Sequence, residues 1–237
     1  MKTSFDVERE EMKKYHFVLL GFATFKEVLN KLEGLMKFYR FESQGKANTK
    51  EVIYDVANNL LTEAGIVLSK KTDGKNTFFN VMKISMLPGE LKRLNHTHVL
   101  KEASAIEEPR DISFEIATAI ENLFNTNFTF DLEAFIKKAL PLLQIDVESE
   151  NYKIIGGNGL RGYISYEKIT YKDIKTNKKA FGEGVVLRLP NDEKYESENE
   201  RILSLIERNI QELGQYNISK FELAQKLLYP KDEEEEE

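Results

Sequence analysis

The order in which strand and helix signals follow one another constrains this chain more than any other feature. Runs rich in β-branched and aromatic residues fill its middle: VIYDV (52–56), GIVLSKK (65–71), NTFFNVMKI (76–84), NYKII (151–155), GYISYEKITYKD (162–173) and GVVLRLP (184–190). Gly, Asn and Asp punctuate them, as in short strands joined by turns. TDGKN (72–76) has the composition of a tight hairpin turn, and DIKTNKKAFGEG (173–184) that of a longer one. Helix signals stand mostly outside this block. Ser or Thr followed three residues later by Glu marks a helix start at Thr24–Glu27, Ser197–Glu200 and Ser219–Glu222. Phe25, Val28, Leu29 and Leu32 then fall on one helical face, and Ile202, Leu205, Ile206 and Ile210 on another. Residues 112–141 predict two more helices, ISFEIATAIENLF and DLEAFIKKAL, ending at Pro141. This is not a βαβα repeat, so the pattern predicts an α+β antiparallel architecture rather than a parallel sheet.

The chain of 237 residues can bury a real core. No linker divides it, so residues 1–230 read as a single domain and 231–237, KDEEEEE, as a disordered acidic tail. The absence of cysteine excludes disulfides, zinc–thiolate sites and thiol catalysis. The charged stretch MKTSFDVEREEMKK carries no signal-peptide hydrophobic region, and no apolar run approaches the roughly 18–20 residues of a membrane span. A cytoplasmic protein without a membrane partner is expected. Much of the net charge of −6 sits in the tail, and a nearly balanced body argues against non-specific nucleic-acid binding; nucleic acid is not expected as a sequence-specific partner.

Two short stretches place an acid at every second position: FDVERE (5–10) and IDVESE (145–150). In a strand, Asp6, Glu8 and Glu10 would share one face, as would Asp146, Glu148 and Glu150. Such rows are either solvated faces or ligands of a shared metal, and the residues alone leave both open. His96 and His98 in NHTH share a strand face but read as a surface pair, and GGNG (156–159) reads as a turn.

The 35 residues from Glu51 to Ser85 carry a more specific pattern. Tyr54, Asp55, Leu61, Gly65, Leu68, Lys71 and Lys83, with Arg93 beyond them, stand as in the CYTH family, the triphosphate tunnel enzymes, which this chain resembles over most of its length. The resemblance implies an antiparallel β-barrel, or tunnel, of about eight strands flanked by helices. It also implies cations on a phosphorylated ligand, here Lys14, Lys71, Lys83 and Arg93, with Arg161, Lys168 and Arg188 as further candidates. Lys71, Lys83 and Arg93 are expected to point into one cavity. Mg²⁺ or Mn²⁺ would be held by Glu8 and Glu10, joined by Glu148 and Glu150. Met12 stands where the family's first strand, E-x-E-x-K, ends in lysine, unless the register shifts to Glu10, Met12 and Lys14. The dibasic pair is reduced to Ser69-Lys70-Lys71, and Val186 and Arg188 replace carboxylates of a late acidic strand. The implied function is binding of a triphosphate-containing or polyphosphate ligand in a basic tunnel, with metal-dependent triphosphatase activity. The alternatives are an inactive phosphate-binding module, an adenylate cyclase-like protein, or a scaffold that uses its C-terminal helices. Glu8, Glu10 and the lysines argue against the scaffold.

Overall fold

Thr24 opens the first helix as a capping box: its hydroxyl accepts from the Glu27 amide at 3.4 Å, and the Glu27 carboxylate accepts from the Thr24 amide at 2.8 Å. Helix α1 (Phe25–Leu35) then buries Phe25, Val28, Leu29 and Leu32 on one side, as the periodicity predicts. The computed structural model describes residues 12–21, 24–56, 60–73, 76–84, 93–101, 108–125, 127–128, 130–157, 159–216 and 220–230, with backbone alone at 76, 84 and 93–101.

In chain order the elements are β1 (Met12–Leu19), α1, β2 (Tyr39–Asp55), α2 (Leu60–Glu63), β3 (Ile66–Asp73), β4 (Asn76–Ile84) and β5 (Arg93–Lys101). After them come α3 (Ser113–Phe124), α4 (Leu132–Ile136), β6 (Leu140–Gly156), β7 (Arg161–Asp173), β8 (Lys179–Pro190), α5 (Glu196–Asn209), β9 (Leu213–Tyr216) and α6 (Lys220–Leu228). The strands form a nine-stranded sheet in the order β5-β4-β3-β2-β6-β7-β8-β1-β9. The pairings of β1 with β8 and β9, and the run β2-β3-β4-β5, are antiparallel. This is the expected α+β class, but the ladder of described residues has two ends, β5 and β9, and is open rather than a closed barrel.

Several boundaries differ from the sequence reading, each for a local reason. The helical run after Asp131 stops at Ile136, and Pro141 lies at the start of β6, where a missing N–H costs little. The first half of β2, YRFESQGKA, is mostly exposed, so its polar composition hides a strand. Helix α5 begins one residue before Ser197, leaving that residue inside the helix rather than at its cap. The hairpin at TDGKN is present: β3 and β4 pair from Ile66↔Lys83 to Asp73↔Asn76.

Contacts cluster in two units, each assembled from three stretches of chain: residues 1–47, 148–169 and 182–217, and residues 48–147, 170–181 and 218–237. The first unit buries α1 and α5, through Val28, Leu32, Ile202 and Ile206, against Phe17, Ile154, Ile164, Val185, Leu187 and Leu189 of its strands. The second packs α3 and α4, through Ile116, Ile120 and Ile136, on Tyr54, Leu68, Phe79 and Val81.

Within the second unit, Asp55 is a buried carboxylate at the end of β2. It accepts from the amides of Val56 (2.7 Å), Leu61 (2.9 Å) and Thr62 (3.1 Å) and from the Thr62 hydroxyl (2.6 Å). These bonds satisfy donors at the start of α2, which is too short to be stable alone. Removing the acceptor strands several buried amides. Asp55→Ala is therefore expected to lower stability by about 3 kcal/mol and Thr62→Ala by about 1 kcal/mol, measured by urea unfolding.

Candidate functional site on a polar sheet face

Strand alternation divides the first unit's sheet into an apolar and a polar face. On β1, Phe17 is buried in the core with Tyr15 and Leu19 packed beside it, leaving Lys14 and His16 for the opposite face. On β8, Val185, Leu187 and Leu189 enter the core, leaving Val186 and Arg188 opposite. On β7, Ile164 and Tyr166 face the core, leaving Tyr163, Ser165 and Glu167. On β6, Ile154 and Tyr152 face it, leaving Asn151 and Lys153.

The register then sets Lys14 directly opposite Arg188 on neighbouring strands. Arg188 does not swing freely. Its Nη1 donates to the Ser165 hydroxyl at 2.7 Å, and its Nη2 to a Glu167 carboxylate oxygen at 3.4 Å. Ser165 donates onward to the Asn151 side-chain carbonyl at 2.8 Å. The Asn151 amide donates to Ser149 at 3.0 Å, and Ser149 donates to the Ala47 carbonyl at 3.3 Å. The result is a polar chain across β8, β7, β6 and β2, in which each member limits the rotation of the next. Beside it, Tyr216 of β9 packs on His16 with ring centroids 5.8 Å apart. Its hydroxyl lies 3.6 Å from where a Cβ of Gly184 would stand. Burial raises the Tyr216 phenol pKa, and the Glu167 carboxylate adds to the rise.

Sequence-predicted residues divide between faces. Lys14 joins the polar face, as does Arg161 at the start of β7, while Lys168 has the parity of Tyr166 and lies on the other side, 6.0 Å from its ring. In the second unit, Lys71 stands opposite Glu51 and Phe78, on the face of Val67 and Ser69. Lys83 stands opposite Ile66 and in line with Phe79 and Val81, on the helix-packed face, its ammonium 4.7 Å from the Phe124 ring centre. Lys71 and Lys83 therefore do not converge, contrary to the expectation of one shared cavity. The helices packed on β4 decide it: Phe79 and Val81 turn toward α3 and α4 and carry Lys83 with them. Arg93 pairs with Ile84 through its backbone, and its side chain lies outside the described residues.

The carboxylates expected to hold Mg²⁺ or Mn²⁺ do not assemble among the described residues. Glu150 shares the core-side face of Tyr152, whose hydroxyl donates to it at 2.6 Å, and alternation sets Glu148 beside it, opposite to Asn151 and Ser149. The second acidic row is thus turned away from Arg188, and its described members do not fit a metal there. Glu8 and Glu10 lie outside the described residues. No group of three His, Asp or Glu side chains among the described residues is placed to hold a metal ion.

Asn151, Lys153, Ser165 and Glu167 were not singled out from the sequence. Their alternation with Tyr152, Ile154, Ile164 and Tyr166 is the signal that marks them. A surface cavity of about 440 Å³ in the first unit is lined by Phe38, Tyr39, Gly157, Glu198 and Arg201, and one of about 240 Å³ lies under α6 in the second, with Asp173 and Tyr229 at its edge. Neither is lined by Lys14 or Arg188.

No protein-family model matches this chain. Solved structures similar to it include adenylate cyclase-like proteins and inorganic triphosphatases of the CYTH fold. One is a Bacillus halodurans protein provisionally assigned as an adenylate cyclase, at 11% identity over 91% of this chain and 97% of that one, with a TM-score of 0.47. A second is a Hippeastrum protein, provisionally assigned as an adenylyl cyclase and described by its dominant triphosphatase activity, at 12% identity over 90% and 95%, with a TM-score of 0.47. A third is an inorganic triphosphatase at 10% identity over 88% of each chain, with a TM-score of 0.31. Likeness at this level assigns neither activity nor ligand to the present chain.

Two measurements check the geometry. A Cβ on Gly162 would meet the Arg188 carbonyl at 2.9 Å and Leu189 at 3.1 Å. Gly162→Ala should therefore cost about 1–3 kcal/mol in urea unfolding, because the obstacle is partly backbone. The Tyr152 phenol is pushed up to about 12, first by its bond to Glu150 and then by burial. The raised value favours the protonated phenol: its contribution to stability is complete below the unfolded pKa of about 10 and is lost as pH rises toward 12. Glu150→Gln should bring the Tyr152 transition down in an ultraviolet titration at alkaline pH.

Proposed function

We propose that this chain binds a phosphorylated small molecule, of the triphosphate-containing or polyphosphate kind, on the polar sheet face of its first unit. The observation that carries this reading is the opposition of Lys14 and Arg188 on neighbouring strands, on the face turned away from the core. Like charges directly opposite each other destabilise a sheet, and a bound polyanion converts that repulsion into attraction. The guanidinium offers a planar fork matched to phosphate oxygens, and the ammonium a compact second charge. Lys153 and Arg161 extend the positive row along the same face. Several linked phosphates suit such a row better than one. The resemblance of residues 51–85 to the CYTH pattern agrees with this ligand class.

Hydrolysis is the second reading, and it rests on Glu8 and Glu10. In sequence these acids keep step with Lys14 and His16, and Mg²⁺ or Mn²⁺ accepts one or two protein carboxylates when phosphate oxygens and water complete its shell. Binding without turnover is favoured by the Arg188–Glu167 ion pair, which places a cation where the family pattern has a carboxylate.

Calorimetric titration with tripolyphosphate in metal-free buffer tests the first reading. The wild type should bind, Arg188→Gln and Lys14→Ala should each weaken binding by on the order of tenfold or more, and Lys83→Ala should leave it unchanged. Absence of binding by the wild type, or an equal loss in Lys83→Ala, would overturn it. For the second reading, phosphate release with Mn²⁺ should vanish in the Glu8→Gln, Glu10→Gln double variant while binding persists. Release that is unchanged in that variant removes those acids from the site.

A further inference from the structure

Glu167 is paired with Arg188, the cation that stands opposite Lys14, and both side chains of that ion pair are largely enclosed. The Arg188 and Glu167 side chains keep only 16% and 6% of their surface exposed, and their ion pair spans 3.4 Å. A charge so enclosed is costly unless a partner offsets it. Glu167 therefore does more than decorate a surface.

The two contacts of Arg188 on β7 have different strengths and different consequences. The 2.7 Å bond to Ser165 fixes the direction of the guanidinium, and Ser165 is itself fixed by Asn151. The 3.4 Å contact to Glu167 is long for a hydrogen bond between charged groups, so it supplies charge more than orientation. Lys14 and Arg188 face each other across β1 and β8.

We infer that Glu167 is a built-in counter-ion for Arg188, steadying the guanidinium and lowering its affinity for an anion. The inference rests on the ligand-binding reading above. It makes Glu167 a positioning residue acting through Arg188, with no contact of its own to the ligand. An arriving polyphosphate must compete with the carboxylate for the guanidinium, and the ion pair is weakened as the ligand binds. Such a device keeps a strongly cationic face from holding weakly charged anions and selects for a ligand with charge to spare.

Glu167→Gln tests this, because the amide has nearly the shape of the carboxylate and leaves the Ser165 bond in place. The variant should unfold at a lower temperature than the wild type without ligand, yet bind tripolyphosphate tighter by on the order of tenfold, with a larger rise in unfolding temperature on ligand addition. A residue with a merely structural role would give lower stability together with equal or weaker binding, and that result overturns the inference. A second arm places Glu167→Gln in the Arg188→Gln background. There the gain in affinity should disappear; a gain that persists means that Glu167 does not act through Arg188. Failure of the wild type to bind tripolyphosphate sinks the ligand reading itself, whereas binding by the wild type without tightening in Glu167→Gln sinks the counter-ion alone.

Discussion

Two cations set against each other on adjacent strands are the constraint around which the polar face of the first unit is arranged. Lys14 and Arg188 meet because β1 and β8 pair antiparallel in one register, and a shift of one residue would turn Arg188 into the core. That register is held from the other side of the sheet. Phe17, Val185, Leu187 and Leu189 are buried against Val28, Leu32, Ile202 and Ile206, so slippage would expose a row of large apolar groups. Burial is worth roughly 1.5–3 kcal/mol for each such side chain, and the sum over them outweighs the repulsion of two like charges facing each other across a strand pair. The apolar face thus fixes a polar arrangement that would not form by itself.

The side chains around the pair then decide what it can do. Ser165, Asn151 and Ser149 restrain Arg188 through hydrogen bonds that reach the Ala47 carbonyl, and Glu167 supplies opposing charge. Gly162 and Gly184 lack side chains where strands and the Tyr216 hydroxyl come close. An anion bound here meets donors already aimed, which reduces the ordering cost of binding. The second unit carries its own polar residue of consequence, Asp55, but its four accepted bonds tie it to the start of α2 and to stability rather than to a ligand.

Much of this was legible in the sequence, and the failures have physical causes. The antiparallel α+β class follows from the order of signals, and the capping box at Thr24 names its helix start to the residue. The alternation of β1 and β8 separates Lys14 and Arg188 from their apolar neighbours without any structure. What alternation within one strand cannot supply is which strand lies beside it, so the meeting of residues 14 and 188 becomes visible only with the fold. Lys83 was harder, because NTFFNVMKI has apolar residues at both parities, and the choice between Phe78 with Met82 and Phe79 with Val81 is made by the helices packed on them. The acids of IDVESE do share one face as the spacing demands, but it is the face of Tyr152 and Ile154, with Glu148 exposed and Ile145 and Val147 buried at the opposite parity. The described strand β1 begins at Met12, so the companion stretch FDVERE lies outside what the structure describes.

The most direct test is a crystal structure of the protein soaked with tripolyphosphate in the absence of divalent metal. The account predicts phosphate oxygens within about 3 Å of the Arg188 guanidinium and the Lys14 ammonium, with the Ser165 bond to Arg188 retained. Tripolyphosphate bound elsewhere, with Arg188 still turned to Glu167 and no anion beside Lys14, would contradict it.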